Sequence, residues 1–302
     1  LTSHATSKIT ALEDLEGVRT LGFRGEALPS IAAVSRMVLR SRSADDAHGW
    51  EVRVDGGRPE GPPRPVAMPA GTVVEVADLF HRIPARRKFL RTPRTELQRV
   101  QEALRRLALS RWCSAFRLLH EGRELLAAGA VAGGQDPGER LLALLGRGFM
   151  EQAFPLTAAA GELTLQGWVA ARAYSRPQPD LQYLYLNGRM VRDRVVARAV
   201  REAYAEAIPQ GRHPAWVLYL EMAPGTVDVN VHPTKHEVRF REIRLVHDFV
   251  RQAVSRTLEA PGGQPWAAAP EPSPEPGPEP GPEPAEPAPA PGAGDGAAAR
   301  PT

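Results

Sequence analysis

The chain has 302 residues, of which 42% are hydrophobic, so it is long enough and apolar enough for two domains with packed cores. It has no apolar run of about eighteen residues, which excludes a membrane-spanning helix. Its single cysteine, Cys113, excludes an internal disulfide and a multi-cysteine metal site. Six acidic residues and one basic residue follow position 260, so the rest of the chain carries a net charge of +8. Such a basic body favours an anionic partner, above all nucleic acid.

The first half of the sequence predicts short strands and helices in alternation. The predicted helices cover residues 9–15 and 27–34. The predicted strands cover residues 37–41, 50–54 and 72–76, the last of them central, and a proline-rich loop covers 61–69. Thr92 and Pro93 then suit the N-cap and first residue of a helix. That helix places four apolar residues on one face: Leu97, Val100, Leu104 and Leu107.

The second half begins with a hairpin, 116–120 and 123–127, and a linker rich in Ala and Gly over 128–138. Helices are predicted at 141–145, after the N-cap Asp193, and at 243–258. Strands are predicted at 163–169, 183–186, 216–222 and 227–231. Residues 261–302 contain 14 prolines, a composition typical of a disordered linker. The mixed order of strands and helices predicts an α+β fold.

A glycine-bracketed loop, residues 22–28, is the strongest candidate for ligand binding. Gly22 and Gly25 allow successive backbone N–H groups to point into one concavity, and Arg24 adds a positive charge. A helix that starts directly behind the loop adds its own unpaired donors. Such a loop suits a phosphate, although a bare G-x-x-G is also typical of a tight turn before a buried helix.

Three stretches of sequence extend this pattern. The first combines residues 4–8 with 22–28, the second runs from 71–76 to 84–90, and the third is 228–240. Together they resemble the MutL family of mismatch-repair proteins, in the gyrase, Hsp90, histidine-kinase and MutL ATPase superfamily. The resemblance covers about residues 1–258. It implies the back half of a Bergerat-type ATPase domain at 1–127, a linker at 128–138, a domain like domain 2 of ribosomal protein S5 at 139–259, and a disordered tail at 260–302.

The resemblance also implies roles for individual residues. Lys235 would reach from the second domain to the γ-phosphate of ATP, where a compact mobile charge is effective. Thr72 would lie in the water network under the adenine. The remaining nucleotide-binding residues implied by the family motifs are Thr6, Ser7, Lys8, Gly22, Phe23, Arg24, Gly25 and Glu26.

The sequence departs from the family in two places. The motifs that carry the general base, the Mg²⁺-binding Asn and the adenine-reading Asp would precede residue 1, and Glu26 does not replace the base. We therefore expect a fragment of a longer cytoplasmic protein that does not hydrolyse ATP alone, while the intact protein uses ATP with Mg²⁺. In addition, Arg82 and Ile83 stand where the family pattern has Asn-Thr, which affects the local turn.

Basic residues in two places are candidates for contacts with the DNA backbone, because Lys and Arg neutralise phosphates without reading sequence. They are Arg86, Arg87, Lys88, Arg189, Arg192 and Arg194. Surface ion pairs are the alternative interpretation for each. No metal site is predicted, because Pro233 between His232 and His236 opposes a helix that would present both.

The family resemblance implies an ATP-dependent matchmaker that binds DNA and closes as a homodimer. Its implied partners are the mismatch-recognition protein MutS and a downstream nuclease and helicase, with no membrane partner. Two alternatives stay open. One is the ATPase and transducer region of a type II topoisomerase subunit, and the other is a DNA-binding module without catalysis.

Overall fold

The computed structural model describes residues 25–133, 135–204, 208–228 and 238–259. The chain divides into two compact units, Leu1–Glu102 and Ala103–Thr302. Each has a hydrophobic core of its own. Within the described ranges no helix is long and apolar enough to cross a membrane.

The first unit is an antiparallel sheet with a short helix packed against it. Its elements are α1 (Ala27–Ala33), β1 (Arg36–Arg42), β2 (Gly49–Asp55), β3 (Arg58–Pro59), β4 (Arg64–Val66), β5 (Gly71–Ala77), α2 (Pro84–Arg87) and the first part of α3 (Pro93–Ser110). The strand order is β3-β2-β1-β5, with β4 also paired to β2. The elements predicted at 27–34, 37–41, 50–54 and 72–76 are therefore confirmed, as is the helix that begins at Pro93.

The two faces of this sheet differ because side chains alternate along each strand. Met37 of β1 and Val54 of β2 pack with Ala32 of α1 in the small core of this unit. Arg36 and Arg40 of β1 point to the opposite face. One face is therefore apolar and covered in part by α1, and the other is charged.

Two local predictions for this unit are wrong. Among the described residues β5 pairs with β1 alone, so within this part of the chain it is an edge strand and not a central one, and all seven of its residues are exposed. Its valines suit a strand but do not specify how many neighbours it has. The predicted loop 61–69 contains β4, in which Pro65 lies opposite Trp50. Proline fits there because, at the edge of a sheet, its missing N–H does not remove a hydrogen bond to a neighbouring strand.

The second unit is a five-stranded mixed sheet between two layers of helices. It contains β6 (Phe116–His120), β7 (Arg123–Ala128), α4 (Gly138–Leu145), α5 (Arg147–Met150), β8 (Ala153–Ala160), β9 (Leu163–Ala170), β10 (Ser175–Arg176), β11 (Gln182–Leu186), β12 (Arg189–Val191), α6 (Arg194–Ala203), β13 (His213–Pro214), β14 (Trp216–Glu221), β15 (Val227–Asp228), β16 (Arg239–Phe240) and α7 (Ile243–Glu259). The sheet order is β12-β11-β14-β9-β8. Only the β11–β14 pair in it is parallel.

Both faces of this sheet are buried, which explains the continuous apolar runs of its central strands. Leu184 of β11 and Leu218 of β14 face a core built with α6 and α7. Tyr185 of β11 and Val217 of β14 face a second core built with α4, α5, the β6–β7 hairpin and the end of α3. The sheet is thus the middle layer of the unit.

Side-chain caps fix where two helices begin. The N–H of Val196 donates to Asp193 Oδ1 over 2.8 Å, which confirms the predicted N-cap of α6. The N–H of Thr95 donates to Thr92 Oγ1 over 3.3 Å at the start of α3. The predicted boundary at 128–138 stays a prediction; Ala128, at its first residue, ends β7 and is 2% exposed.

Candidate nucleotide and DNA sites

The predicted site residues fall into two groups. Several lie outside the described residues, so their roles stay predictions: Thr6, Ser7, Lys8, Gly22, Phe23, Arg24 and Lys235. The others have described positions: Gly25, Glu26, Thr72, Arg86, Arg87, Lys88, Arg189, Arg192 and Arg194. The arrangement of this second group is what defines the candidate sites.

The end of the glycine loop enters helix α1 directly. Gly25 has a φ of 63°, a left-handed conformation that glycine adopts without steric cost. Glu26 follows as an exposed N-cap residue, and its carbonyl accepts the N–H of Ser30 over 3.0 Å. The Glu26 side chain makes no capping hydrogen bond to α1. The turn-then-helix arrangement expected for this loop is therefore present from Gly25 onward.

Thr72 lies on the same sheet face as α1. The β1–β5 register pairs Ser41 with Thr72, and their hydroxyl oxygens are 2.9 Å apart. The same register places Met37, on which α1 packs, on the face that Ser41 and Thr72 share. On that face Val74 of β5 is 45% exposed. The helix behind the glycine loop and an exposed strip of β5 thus share one side of the sheet.

The opposite face of the sheet neutralises its own charges. Arg40 Nε donates to Glu51 Oε2 over 2.6 Å, and Arg40 also donates to Glu75 on the neighbouring strand. Arg53 Nε donates to Glu51 Oε1 over 2.7 Å. These bonds, first from Arg53 and then from Arg40, lower the pKa of the Glu51 carboxyl to about 2. This cluster is not among the residues predicted from the sequence, although Arg and Glu at alternate strand positions are typical of cross-strand pairs.

The basic residues of the first unit form an exposed turn. Arg86 and Arg87 belong to α2, and Lys88 is its C-cap. All three side chains are exposed and have no hydrogen-bond or ion-pair partner among the described residues. The alternative interpretation as surface ion pairs therefore does not apply within the described part of the chain, and the three charges are available to an anion.

The basic residues of the second unit follow a tightly held turn. Asn187 has a φ of 47° and Gly188 a φ of 75°, and the Asn187 side chain exchanges two 3.0 Å hydrogen bonds with the backbone of Met222. The basic residues come directly after it: Arg189 is half-buried and engaged with its surroundings, and Arg192 and Arg194 are exposed. The turn therefore fixes where this basic segment begins.

No group of three His, Cys, Asp or Glu side chains that could hold a metal occurs in the described ranges. His232 and His236 lie outside them.

Comparison with known proteins identifies relatives of both units. The family model described as "DNA mismatch repair protein, C-terminal domain" matches residues 141–259. The chain is 53% identical over 258 residues to the DNA mismatch repair protein MutL of Azotobacter vinelandii, which covers 85% of this chain and 40% of that protein. It is 47% identical over 290 residues to the protein of the same name from Cellvibrio japonicus, covering 90% and 46%. The chain thus spans less than half the length of these curated relatives.

Solved structures give the same assignment for the fold. The Aquifex aeolicus MutL ATPase domain complexed with ADP matches with a TM-score of 0.55 and 29% identity, covering 80% of each chain. The N-terminal domain of a DNA repair protein matches with a TM-score of 0.66 and 21% identity, covering 80% of this chain and 77% of that one. The predicted α+β fold of a MutL-type ATPase region is confirmed.

Proposed function

Because the chain belongs to the MutL family of DNA mismatch-repair proteins, we propose that the intact protein is an ATP-dependent matchmaker. It binds ATP and DNA, closes as a homodimer and couples mismatch recognition to strand removal. In this proposal MutS acts before it, and a nuclease and a helicase act after it. ATP brings Mg²⁺ with it, and the metal would neutralise phosphate charge.

The observation that carries the nucleotide proposal is the shared sheet face. Helix α1, which follows Gly25 directly, packs on the side of the sheet that presents the Ser41–Thr72 hydroxyl pair and the exposed Val74. An apolar strip suits the flat face of a base, and the hydroxyl pair offers both a donor and an acceptor to its polar edge. The ADP named for the Aquifex aeolicus domain supports a nucleotide as the ligand of this face.

Lys235 is proposed to contact the γ-phosphate. Val227 pairs with Phe240 and Asp228 with Arg239, so the segment that contains Lys235 leaves from one strand of a pair and returns to the other. A lysine there would deliver one compact charge to the position where negative charge develops as the phosphate leaves.

DNA would be held through its backbone. Arg86, Arg87 and Lys88 in the first unit, and Arg192 and Arg194 in the second, are exposed cations without partners in the described part of the chain. Cations of this kind bind phosphates without reading bases, so we propose salt-sensitive binding that does not depend on sequence.

The nucleotide proposal is tested in the intact protein by comparing Lys235→Ala and Lys235→Arg with the wild type. Single-turnover ATP hydrolysis and equilibrium binding of a non-hydrolysable ATP analogue are measured side by side. We expect Lys235→Ala to slow hydrolysis by about tenfold or more and to weaken binding much less, because a contact made mainly in the transition state lowers the rate. Lys235→Arg should restore the rate only in part.

The matched control is Lys88→Ala, which removes the same charge from a residue assigned to DNA. It should leave hydrolysis in the absence of DNA unchanged. Normal hydrolysis by Lys235→Ala would contradict the proposed contact with the γ-phosphate.

A further inference from the structure

The loop that leads into the basic helix α2 has an unfavourable backbone. Asp78 has a φ of 51° and Phe80 a φ of 60°. Left-handed conformations cost energy in residues other than glycine, less in aspartate than in a bulky residue such as Phe80. Such a loop keeps its shape only if its surroundings hold it. One restraint is a 2.7 Å hydrogen bond from the N–H of Phe80 to the carbonyl of Val34.

A second restraint is the ion pair of Arg36 Nη1 with Asp78 Oδ2, over 2.8 Å. A third is the carboxylate of Asp55, at the end of β2. Arg82 Nη2 donates to Asp55 Oδ2 over 2.7 Å, and His81 Nε2 lies 2.8 Å from Asp55 Oδ1. Burial alone would raise the pKa of the Asp55 carboxyl, but the hydrogen bond and the charge of Arg82, followed by the neighbouring His81 ring, lower it below its usual value. Two consecutive residues of the loop therefore share one ionised anchor.

The β2–β3 turn is shaped to accept the Arg82 side chain. Gly56, next to Asp55, has a φ of 55°, and a Cβ at that position would lie 2.7 Å from Arg82 Cδ. The arginine therefore lies flat against the turn, and its guanidinium is directed to Asp55. This contact explains how the chain accommodates Arg-Ile where the family pattern has Asn-Thr.

We propose that Arg82 is a positioning residue for DNA binding, which acts by holding the loop that presents Arg86, Arg87 and Lys88. The inference rests on the proposed function of α2. Arg82 stands two residues before Pro84, the first residue of α2, and its guanidinium is occupied by Asp55. Arg82 therefore contributes to DNA binding by fixing the positions of Arg86, Arg87 and Lys88, and not by contacting phosphate with its own charge.

The substitution Asp55→Asn separates a positional role of the Asp55–Arg82 pair from an effect of charge alone, because the two predict opposite changes in DNA affinity. Asp55→Asn removes a negative charge, which by charge alone strengthens DNA binding. If Asp55 holds the loop, the same change weakens binding, by about fivefold for the loss of an ion pair of this kind. The control Asp45→Asn removes the same charge from an exposed residue that has no side-chain partner among the described residues. It should leave binding unchanged or slightly tighter.

The experiment measures the Kd of the full chain for a duplex of arbitrary sequence over a salt series. Arg82→Ala is compared in the wild-type background and in the Arg86→Ala/Arg87→Ala/Lys88→Ala background, called the α2 variant. We expect Arg82→Ala to weaken binding in the first background and to have no further effect in the second, because α2 would already have lost its contacts. Arg82→Lys should recover part of the affinity. Thermal unfolding of each variant shows whether it is folded. If Asp55→Asn is not folded, the comparison of Arg82→Ala in the two backgrounds tests the positioning role by itself.

Three results would overturn the proposal, and they are distinguishable. Equal effects of Arg82→Ala in both backgrounds would make Arg82 a direct phosphate contact. Asp55→Asn binding as tightly as Asp45→Asn, while the α2 variant binds weakly, would remove the positioning role and leave DNA binding by α2 intact. Full affinity in the α2 variant would remove the proposed function of α2, and the positioning role with it.

Discussion

Arg140 is the buried charge on which the second unit depends most. The residue is 2% exposed and stands in α4. Its Nη2 donates to the carbonyls of Ala108 over 2.7 Å and Arg111 over 2.9 Å, and its Nη1 donates to the carbonyls of Ser114 over 2.8 Å and Gly129. Burial lowers the pKa of its guanidinium. Its partners are backbone oxygens, two of them in or just after the last turn of α3, where the helix dipole favours a cation.

We predict that Arg140→Met destabilises the chain by about 3–5 kcal/mol, the range for removing one partner of a buried charged contact. Each buried carbonyl left without a donor costs about 1–3 kcal/mol, and the desolvation of the charge that is no longer buried offsets part of that sum. Arg140→Lys keeps the charge but loses the fork that reaches two pairs of carbonyls. It should cost about 2–3 kcal/mol, from the one or two hydrogen bonds that a single ammonium cannot replace.

Urea unfolding of the full chain, followed by tryptophan emission, measures the effect. Trp112 reports directly, because the guanidinium carbon of Arg140 is 5.6 Å from the centroid of its ring. With a slope of about 2 kcal/mol per molar urea, a loss of 4 kcal/mol lowers the midpoint by about 2 M. The control Arg147→Met, at an exposed site on α5, should stay within about 0.5 kcal/mol. A midpoint for Arg140→Met equal to that of the control would refute the argument.

Two further predictions concern the two sheets. In the second unit, a Cβ at Gly167 would lie 2.0 Å from the carbonyl oxygen of Val217, so Gly167→Ala should destabilise the chain by about 3 kcal/mol or more. The control Gly161→Ala, where a Cβ would meet no atom within 4 Å, should cost about 1 kcal/mol. Thermal unfolding compares the two variants, and equal losses of stability would contradict the close approach of Gly167 to Val217. In the first unit, the lowered pKa of Glu51 means that its stabilisation is complete above the usual value of 4.5 and is lost as the pH falls towards about 2. The difference in unfolding midpoint between wild type and Glu51→Gln should therefore shrink over that pH interval, and a constant difference would show that the pairing with arginine does not depend on the charge of Glu51.

The sequence predicts most elements of the second unit because the physical signals are strong there. Strands such as β11 and β14 are buried on both faces, and their apolar runs are short and rich in aromatic residues, which favours a strand over a helix. β8 was not predicted, since its Pro155 and its three consecutive alanines at 158–160 have low strand propensity. Alignment with β9 over eight residue pairs makes it a strand, and that pairing is tertiary information.

The sequence predicts the basic residues of the candidate DNA site but not the contacts that hold them in place. The basic residues of α2 could be found because the motif around them is local in sequence. The anchor of their loop could not, because Asp55 and Arg82 are 27 positions apart. Arg140 likewise precedes Leu141 in a short amphipathic helix, where an arginine ordinarily points to solvent.

The end of α3 shows why its second half belongs to the second unit. The last carbonyls of a helix have no partner within it. Here the Tyr219 hydroxyl donates to the carbonyl of Leu109, one of these last carbonyls, over 2.8 Å. The Tyr185 hydroxyl donates to the carbonyl of Arg106, nearly one turn earlier, over 2.9 Å. Both tyrosines stand on the sheet, their rings stack 5.0 Å apart, and burial raises the pKa of Tyr219, so its hydroxyl stays a donor. A buried hydroxyl needs a hydrogen-bond partner as much as a buried carbonyl does, so the tyrosines of the sheet and the carbonyls of α3 satisfy each other. This mutual satisfaction fixes the last turn of α3 to the sheet, whereas the apolar spacing along the helix indicates only which face is turned inward.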